Sequence, residues 1–237
     1  MKYLGSKNRI AKHILPIMLE HKTPEMTWVE PFVGGANMID KVEGKRIGAD
    51  LNEYLIEALI LIRDSPDTIP DIITEDDYER IKQEKKVDGL TGFVGFAMSF
   101  GGKFFGGYRR DVAGTKGCVE NMKTQTRRSK QNAVKQNKNL QGVKLVNCSY
   151  DELPLNSDNC LIYCDPPYKG TTSYRDGFDY IKFWDWCREM SDRGHTVFVS
   201  EYNAPDDFKC VWQKEVATTI SKQQGKKDIE KLFVYCG

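Results

Sequence analysis

Short apolar runs recur along the chain at Thr27–Glu30, Arg46–Ala49, Val143–Asn147, Cys160–Cys164, Thr196–Ser200, Val211–Val216 and Leu232–Tyr235. Most are continuously apolar rather than alternating, the pattern of strands covered on both faces. Between them lie stretches of helical period, Asn8–Glu20, Asn52–Arg63 and Tyr180–Met190. In the last of these Tyr180, Phe183, Trp184, Cys187 and Met190 fall on one side. Strands alternating with helices predict an α/β fold, a mainly parallel sheet covered by helices, with ligands beyond the carboxyl ends of the strands.

The rhythm fails between about Asp67 and Leu140, where no strong strand signal appears and glycine pairs interrupt the segment SFGGKFFGGYRRD. This interval reads as an inserted, mostly helical lobe, residues 67–140, dividing a main domain into residues 1–66 and 141–237. The polar run Glu120–Asn139 reads as a solvated helix or a mobile loop. With 237 residues, 40% of them hydrophobic, one substantial core and a small appended lobe are expected rather than two independent domains.

The net charge of +1 advertises no global affinity for nucleic acid. Charge is nevertheless segregated. From Lys103 to Lys144 there are eleven basic residues against Asp111 and Glu120, a local excess of +9. Such runs are usually solvated surface; beside a site that handles bases they become a candidate phosphate-binding face, with Lys103, Arg109, Arg110, Arg127, Arg128 and Lys130 as its residues and Arg109 or Arg110 as a reader of base edges. Seven cysteines without paired CxxC elements, three dispersed histidines, no apolar span of membrane length and no signal peptide point away from metal and membrane, and toward reduced thiols in a cytoplasm.

Two segments carry chemistry. In WVEPFVGGAN, Trp28 to Asn37, a strand runs into a glycine turn, and Asp50 follows the next strand, where an acidic side chain can accept from ribose hydroxyls. A tight strand-to-helix turn with a helix-capping aspartate explains the same residues equally well. The second segment, LIYCDPPY, is more specific. Consecutive prolines lack N–H donors and hold a stiff path at the strand's end, so Asp165 and the Pro166 carbonyl can accept both hydrogens of a substrate amino group. Tyr168 offers a flat face to a base that has left its helix.

In these motifs and their order the chain resembles the Dam-like (D12 class) DNA adenine-specific methyltransferases, in phage-type form. The resemblance runs through YLGSK (Tyr3 to Lys7), EPFVGG (Glu30 to Gly35), Asp50, NCSYDEL, DPPY and VSEYNAPDDF (Val199 to Phe208). It implies a Rossmann-like sheet that uses S-adenosyl-L-methionine, a target-recognition lobe, and methyl transfer to the N6 amino group of adenine in double-stranded DNA. It assigns Tyr3, Lys7, Glu30, Phe32, Gly34, Asp50 and Asp165 to the cofactor, with Tyr150 and Asp151 near its adenine, and Asp165, Pro166, Pro167 and Tyr168 to catalysis without a metal. Many family members carry an arginine-tyrosine-asparagine element where this chain has SFGGKFFGGYRRD, so the resemblance leaves the recognised sequence open, GATC or another. The rivals are an amino-methyltransferase of RNA or protein glutamine, and a DNA-binding protein that keeps the fold without the activity.

Overall fold

A computed structural model of the protein describes residues 1–109, 119–155, 159–168, 177–217 and 227–237. Seven strands form one sheet: β1 (Thr27–Glu30), β2 (Arg46–Asp50), β3 (Val143–Asn147), β4 (Cys160–Cys164), β5 (Thr196–Glu201), β6 (Phe208–Ala217) and β7 (Lys227–Tyr235), in the order β3-β2-β1-β4-β5-β7-β6. β3, β2, β1, β4 and β5 pair in parallel, whereas β7 runs antiparallel to both β5 and β6. This is the mainly parallel α/β sheet expected from the alternation, and the Rossmann-like sheet that the resemblance implied. The last hairpin extends further than the apolar runs suggested, because its polar flanks continue the ladder.

The continuously apolar strands are covered on both sides, β4 being buried at all five positions. Trp28, Leu161, Tyr163 and Phe198 face one cluster, with Ile14, Leu15 and Met18 of α1 (Ala11–Leu19) and Leu55, Leu59 and Ile62 of α2 (Glu53–Asp64). Val29, Ile162, Val197 and Val199 face the other, with Phe183, Cys187 and Met190 of α6 (Tyr180–Asp192). Two-sided burial removes the polar positions that alternation would need.

The regular elements described in the interval 67–140 are helices, joined by irregular segments and one isolated bridge between Ser99 and Tyr108. α3 (Glu75–Glu84) starts at a capping box in which Thr74 and Asp77 exchange hydrogen bonds. α4 (Gly89–Ala97) lies against α2 at very close range: a Cβ at Gly92 would come within 1.9 Å of the Tyr54 carbonyl oxygen, and one at Gly89 within 2.6 Å of the Leu61 Cβ. The polar run is part of α5 (Val119–Leu140), a single 22-residue helix. Its Ala133 and Leu140 join the core that holds Trp28 and α2. Arg46 ties its end to β2, donating to the carbonyls of Asn139 and Gln141. The interval therefore shares the core of the sheet, and α5 serves both.

Candidate active site

The chain runs from β1 outward to β2 and β3, then returns to β4 on the other side of β1, so β1 and β4 flank the point where strand order reverses. The glycine turn after β1 and DPPY after β4 both open there, the place where α/β sheets present their crevice.

The amino-terminal segment closes over this point. The Tyr3 ring lies 3.1 Å from where a Gly34 Cβ would stand, and Gly34 has φ +49, so the position demands glycine for both space and conformation. Leu4 donates its N–H to the Gly102 carbonyl at 3.2 Å, bringing the FGG segment alongside. Lys7, only 9% exposed, extends its Nζ to 3.1 Å from Asp165 Oδ1 and 3.7 Å from Glu230 Oε2 on β7, and lies 4.3 Å from the centre of the Tyr168 ring. Burial disfavours the Lys7 charge, but Asp165, Glu230 and Glu201 outweigh it and raise its pKa. Asp165 sits in the opposite balance: burial lifts its carboxyl to about 6, Lys7 pulls it down and Glu230 pushes it up. The Tyr168 hydroxyl donates to Glu230 Oε2 at 2.7 Å, and its ring meets Tyr202 edge-on. On the far side of DPPY, the Tyr180 hydroxyl donates to the Pro167 carbonyl at 2.8 Å.

Across the crevice, Asp50 accepts from the Gly34 N–H at 3.2 Å and from the Asn52 N–H at 3.0 Å, one on each oxygen. Burial raises its pKa to about 6 against those two donors. Each carboxylate oxygen keeps a second lone pair for an incoming hydroxyl. Phe32 packs with Tyr150, Phe178 and Phe183, ring centres 5.4 to 5.9 Å apart, an aromatic wall beside the turn. Glu30 is 2% exposed and accepts from Trp28 Nε1 at 2.8 Å; burial raises its pKa well above the carboxylate range. Its carboxyl is engaged within the sheet. Asp151 is paired with Lys182 of α6, on the rim of a surface hollow of about 410 Å³ that also has Trp186, Glu189 and Arg193 in its lining.

The profile of the D12 class N6 adenine-specific DNA methyltransferases matches residues 3–101 and 102–229. The chain belongs to that family. It is therefore an enzyme that uses S-adenosylmethionine to methylate adenine N6 in DNA. Among solved structures it is similar to a Haemophilus influenzae protein classed as a methylase, at 8% identity and TM-score 0.39, over 99% of this chain and 92% of that one. It is also similar to a protein classed as a methyltransferase and complexed with SAH, at 14% identity and TM-score 0.37, over 97% of this chain and 52% of that one, about half its length. No curated protein matches the sequence.

The methyltransferase thus forms two groups at this reversal point, Tyr3 against Gly34 with Asp50 joined through Gly34, and Lys7 with Asp165 and Tyr168, with Phe32 on the aromatic wall beside the turn. The residues facing the crevice suit the cofactor's parts: a buried carboxylate for ribose hydroxyls, an aromatic wall for an adenine ring, an ammonium for a carboxylate. Among the described residues no cluster of side chains suits a metal ion, and no helix is long and apolar enough to cross a membrane. His195 is engaged in the fold, its Nδ1 accepting from the Cys160 N–H.

The basic residues are dispersed in role. Lys103, Arg127 and Arg128 are exposed. Arg109 turns onto α5, bonding Gln125 and Ser129, and Lys130 pairs with Asp71. Arg110 lies outside the described residues. Sequence reasoning missed Glu230 and Tyr180 in the site, which carry no local motif and are brought to DPPY only by the fold.

Proposed function

We propose that the methyltransferase acts on adenine in double-stranded DNA, turning the base into the crevice between the glycine turn and DPPY. The observation that carries this reading is the meeting of Lys7, Asp165 and Tyr168 at the reversal of strand order, beside a glycine turn tied to Asp50. Tyr3, Lys7, Phe32, Gly34 and Asp50 would hold the cofactor: Asp50 on the ribose hydroxyls, Phe32 with Tyr150 along the adenine, Lys7 at the methionine carboxylate. Glu30 would act only indirectly, as a buried brace beneath the turn. When bound, S-adenosylmethionine supplies the methyl group as an electrophilic sulfonium.

The protein's own part is to make a poor nucleophile attack. The lone pair of the adenine amino group is delocalised into the ring, and hydrogen bonds from that group to the Asp165 carboxylate and the Pro166 carbonyl favour a more pyramidal nitrogen. The same carboxylate faces the positive charge that grows on nitrogen during transfer. Asp165 must be ionised to do this, and with a pKa of about 6 it is ionised at neutral pH. The stiff proline pair, held from behind by Tyr180, fixes the direction of approach. Tyr168 supplies a ring face for the base, the face over which Lys7 stands being closed to it.

The residues from Lys103 to Lys130 would form the duplex-binding face. Lys103, Arg127 and Arg128 are available directly; Arg109 and Lys130 would exchange their present partners for phosphate or a base edge.

The deciding experiment is transfer of a labelled methyl group to unmethylated duplex DNA, single-stranded DNA, RNA and protein, by the wild type and by Asp165→Ala. Label should enter duplex DNA at adenine N6 with the wild type and be absent with the folded variant. Equal incorporation by both proteins would remove Asp165 from the chemistry, and label in RNA or protein instead would replace the substrate assignment.

A further inference from the structure

Glu230 belongs to no motif. It lies on β7, late in the chain, yet its carboxylate meets two of the groups on which the site depends. Oε2 accepts from the Tyr168 hydroxyl at 2.7 Å and stands 3.7 Å from Lys7 Nζ. Its side chain is 15% exposed, against 9% for Lys7 and 21% for Asp165. Two carboxylates thus share one ammonium in a mostly dry site, with a phenol hydroxyl between them.

We propose that Glu230 is a positioning residue for methyl transfer, fixing the Tyr168 ring through its hydroxyl and, with Lys7, setting the charge balance around Asp165. The inference rests on the reading of Asp165 as the acceptor of the target amino group.

The ring needs such an anchor. A tyrosine can rotate its hydroxyl in and out of place about two torsions, and the base must meet its face in one orientation. Tyr202 closes one edge of the ring and Lys7 stands over its face. The bond to Glu230 fixes the remaining end. The charge balance follows from Coulomb interactions at short range in a medium less polarisable than water. Lys7 alone would fully compensate Asp165; with Glu230 drawing on the same ammonium, the cluster keeps an excess negative charge beside the amino group on which positive charge develops.

Other charged or titratable groups surround this cluster: Glu30 from β1, Tyr163 from β4, Glu201 from β5 and Tyr202 just after it. Glu30 is engaged with Trp28 and Tyr163 with Ser200. Lys214 stands opposite Glu230 in the β6–β7 ladder, but its ammonium lies 3.1 Å from His13 Nε2. The groups that interact most strongly with Asp165 are therefore Lys7, Glu230 and Tyr168, the same three that its raised pKa reflects once burial is set aside.

The test is the pH dependence of methyl transfer to unmethylated genomic DNA by the full chain, comparing wild type, Glu230→Gln, Tyr168→Phe and Asp165→Ala. Thermal melting and cofactor titration are run on each. The wild type should lose activity as pH falls through about 6, where Asp165 takes up its proton. Glutamine keeps an acceptor for the Tyr168 hydroxyl but removes the charge, so in Glu230→Gln the acid limb moves to lower pH. Tyr168→Phe removes a hydroxyl that lowers the Asp165 pKa, so its acid limb moves to higher pH, and kcat falls roughly ten- to a hundredfold, the size of one charge-assisted hydrogen bond. A brace that served folding alone would change melting and leave both limbs where they are. Coincident limbs in all three active proteins overturn the inference. Activity in Asp165→Ala overturns the reading beneath it instead.

Discussion

Asp50 shows how one side chain can hold the fold and still offer acceptors to a ligand. Its two oxygens each take a backbone N–H, from Gly34 and Asn52, and so hold the glycine turn in place before any ligand arrives. The turn-holding and ribose-binding readings of this residue are therefore compatible: the second lone pairs are free for hydroxyls. Asp50→Ala should weaken cofactor binding by ~1.5–3 kcal/mol, the worth of hydrogen bonds to a charged group. Calorimetric titration of the folded variant with S-adenosylmethionine checks this, and unchanged affinity would leave Asp50 a turn brace alone. At this scale DPPY was legible in sequence as the stiff end of an apolar strand, because its prolines constrain the chain where they stand. Lys7 was legible only through the resemblance, since by itself a lysine so near the amino terminus reads as solvated until the fold lays it against Asp165 and Tyr168.

Among the elements, the strands were the most legible, because two-sided burial writes itself as unbroken apolar runs. α4 was hidden for an equally physical reason. Its sequence GLTGFVGFA carries three glycines, each costing about 1 kcal/mol relative to alanine in a helix. What offsets that cost is the close approach to α2, visible only in three dimensions. Gly92→Ala should gain helix propensity yet lose more by driving a methyl group into the Tyr54 carbonyl, a net destabilisation of about 1–3 kcal/mol. Denaturant melts of the variant and wild type measure it, and a stabilised variant would show that α4 can withdraw from α2 freely. α5 was legible only as polar sequence, because a long helix that buries one narrow face shows few apolar positions. Its exposed Arg127 and Arg128 should contact phosphate. Replacing both by alanine should lower the slope of log affinity against log salt by about 2, near 0.9 for each lost contact. Filter binding across a salt series tests this; an unchanged slope would move the duplex to another face.

Over the whole molecule, the site holds charge at a cost to the fold. Asp165 has its pKa raised from 3.8 to about 6, so the folded state binds its proton more tightly than the unfolded chain does. The sign follows: the penalty is present in full above about 6, fades as pH falls, and is gone below 3.8, where both states are protonated. Its size is about 3 kcal/mol at neutral pH. Asp165→Asn, which cannot ionise, should therefore melt at or above the wild-type temperature at pH 8, and the gap should close between pH 6 and pH 4. A variant that melts well below wild type at pH 8 would mean that the Lys7 pair stabilises the fold. The alternation of strands and helices, and the order of the motifs, made the architecture readable from sequence; the packing of the 67–140 interval, read as an inserted lobe, into the main core was not. α5 runs without a break from the basic interval to Leu140, and on the way Gln136 donates to the carbonyls of Gly35 and Ala36 in the glycine turn. One rod thus touches the proposed duplex face and the cofactor turn. If DNA bound at one end of that rod changes the affinity for S-adenosylmethionine at the other by some factor, the cofactor must change the affinity for DNA by the same factor.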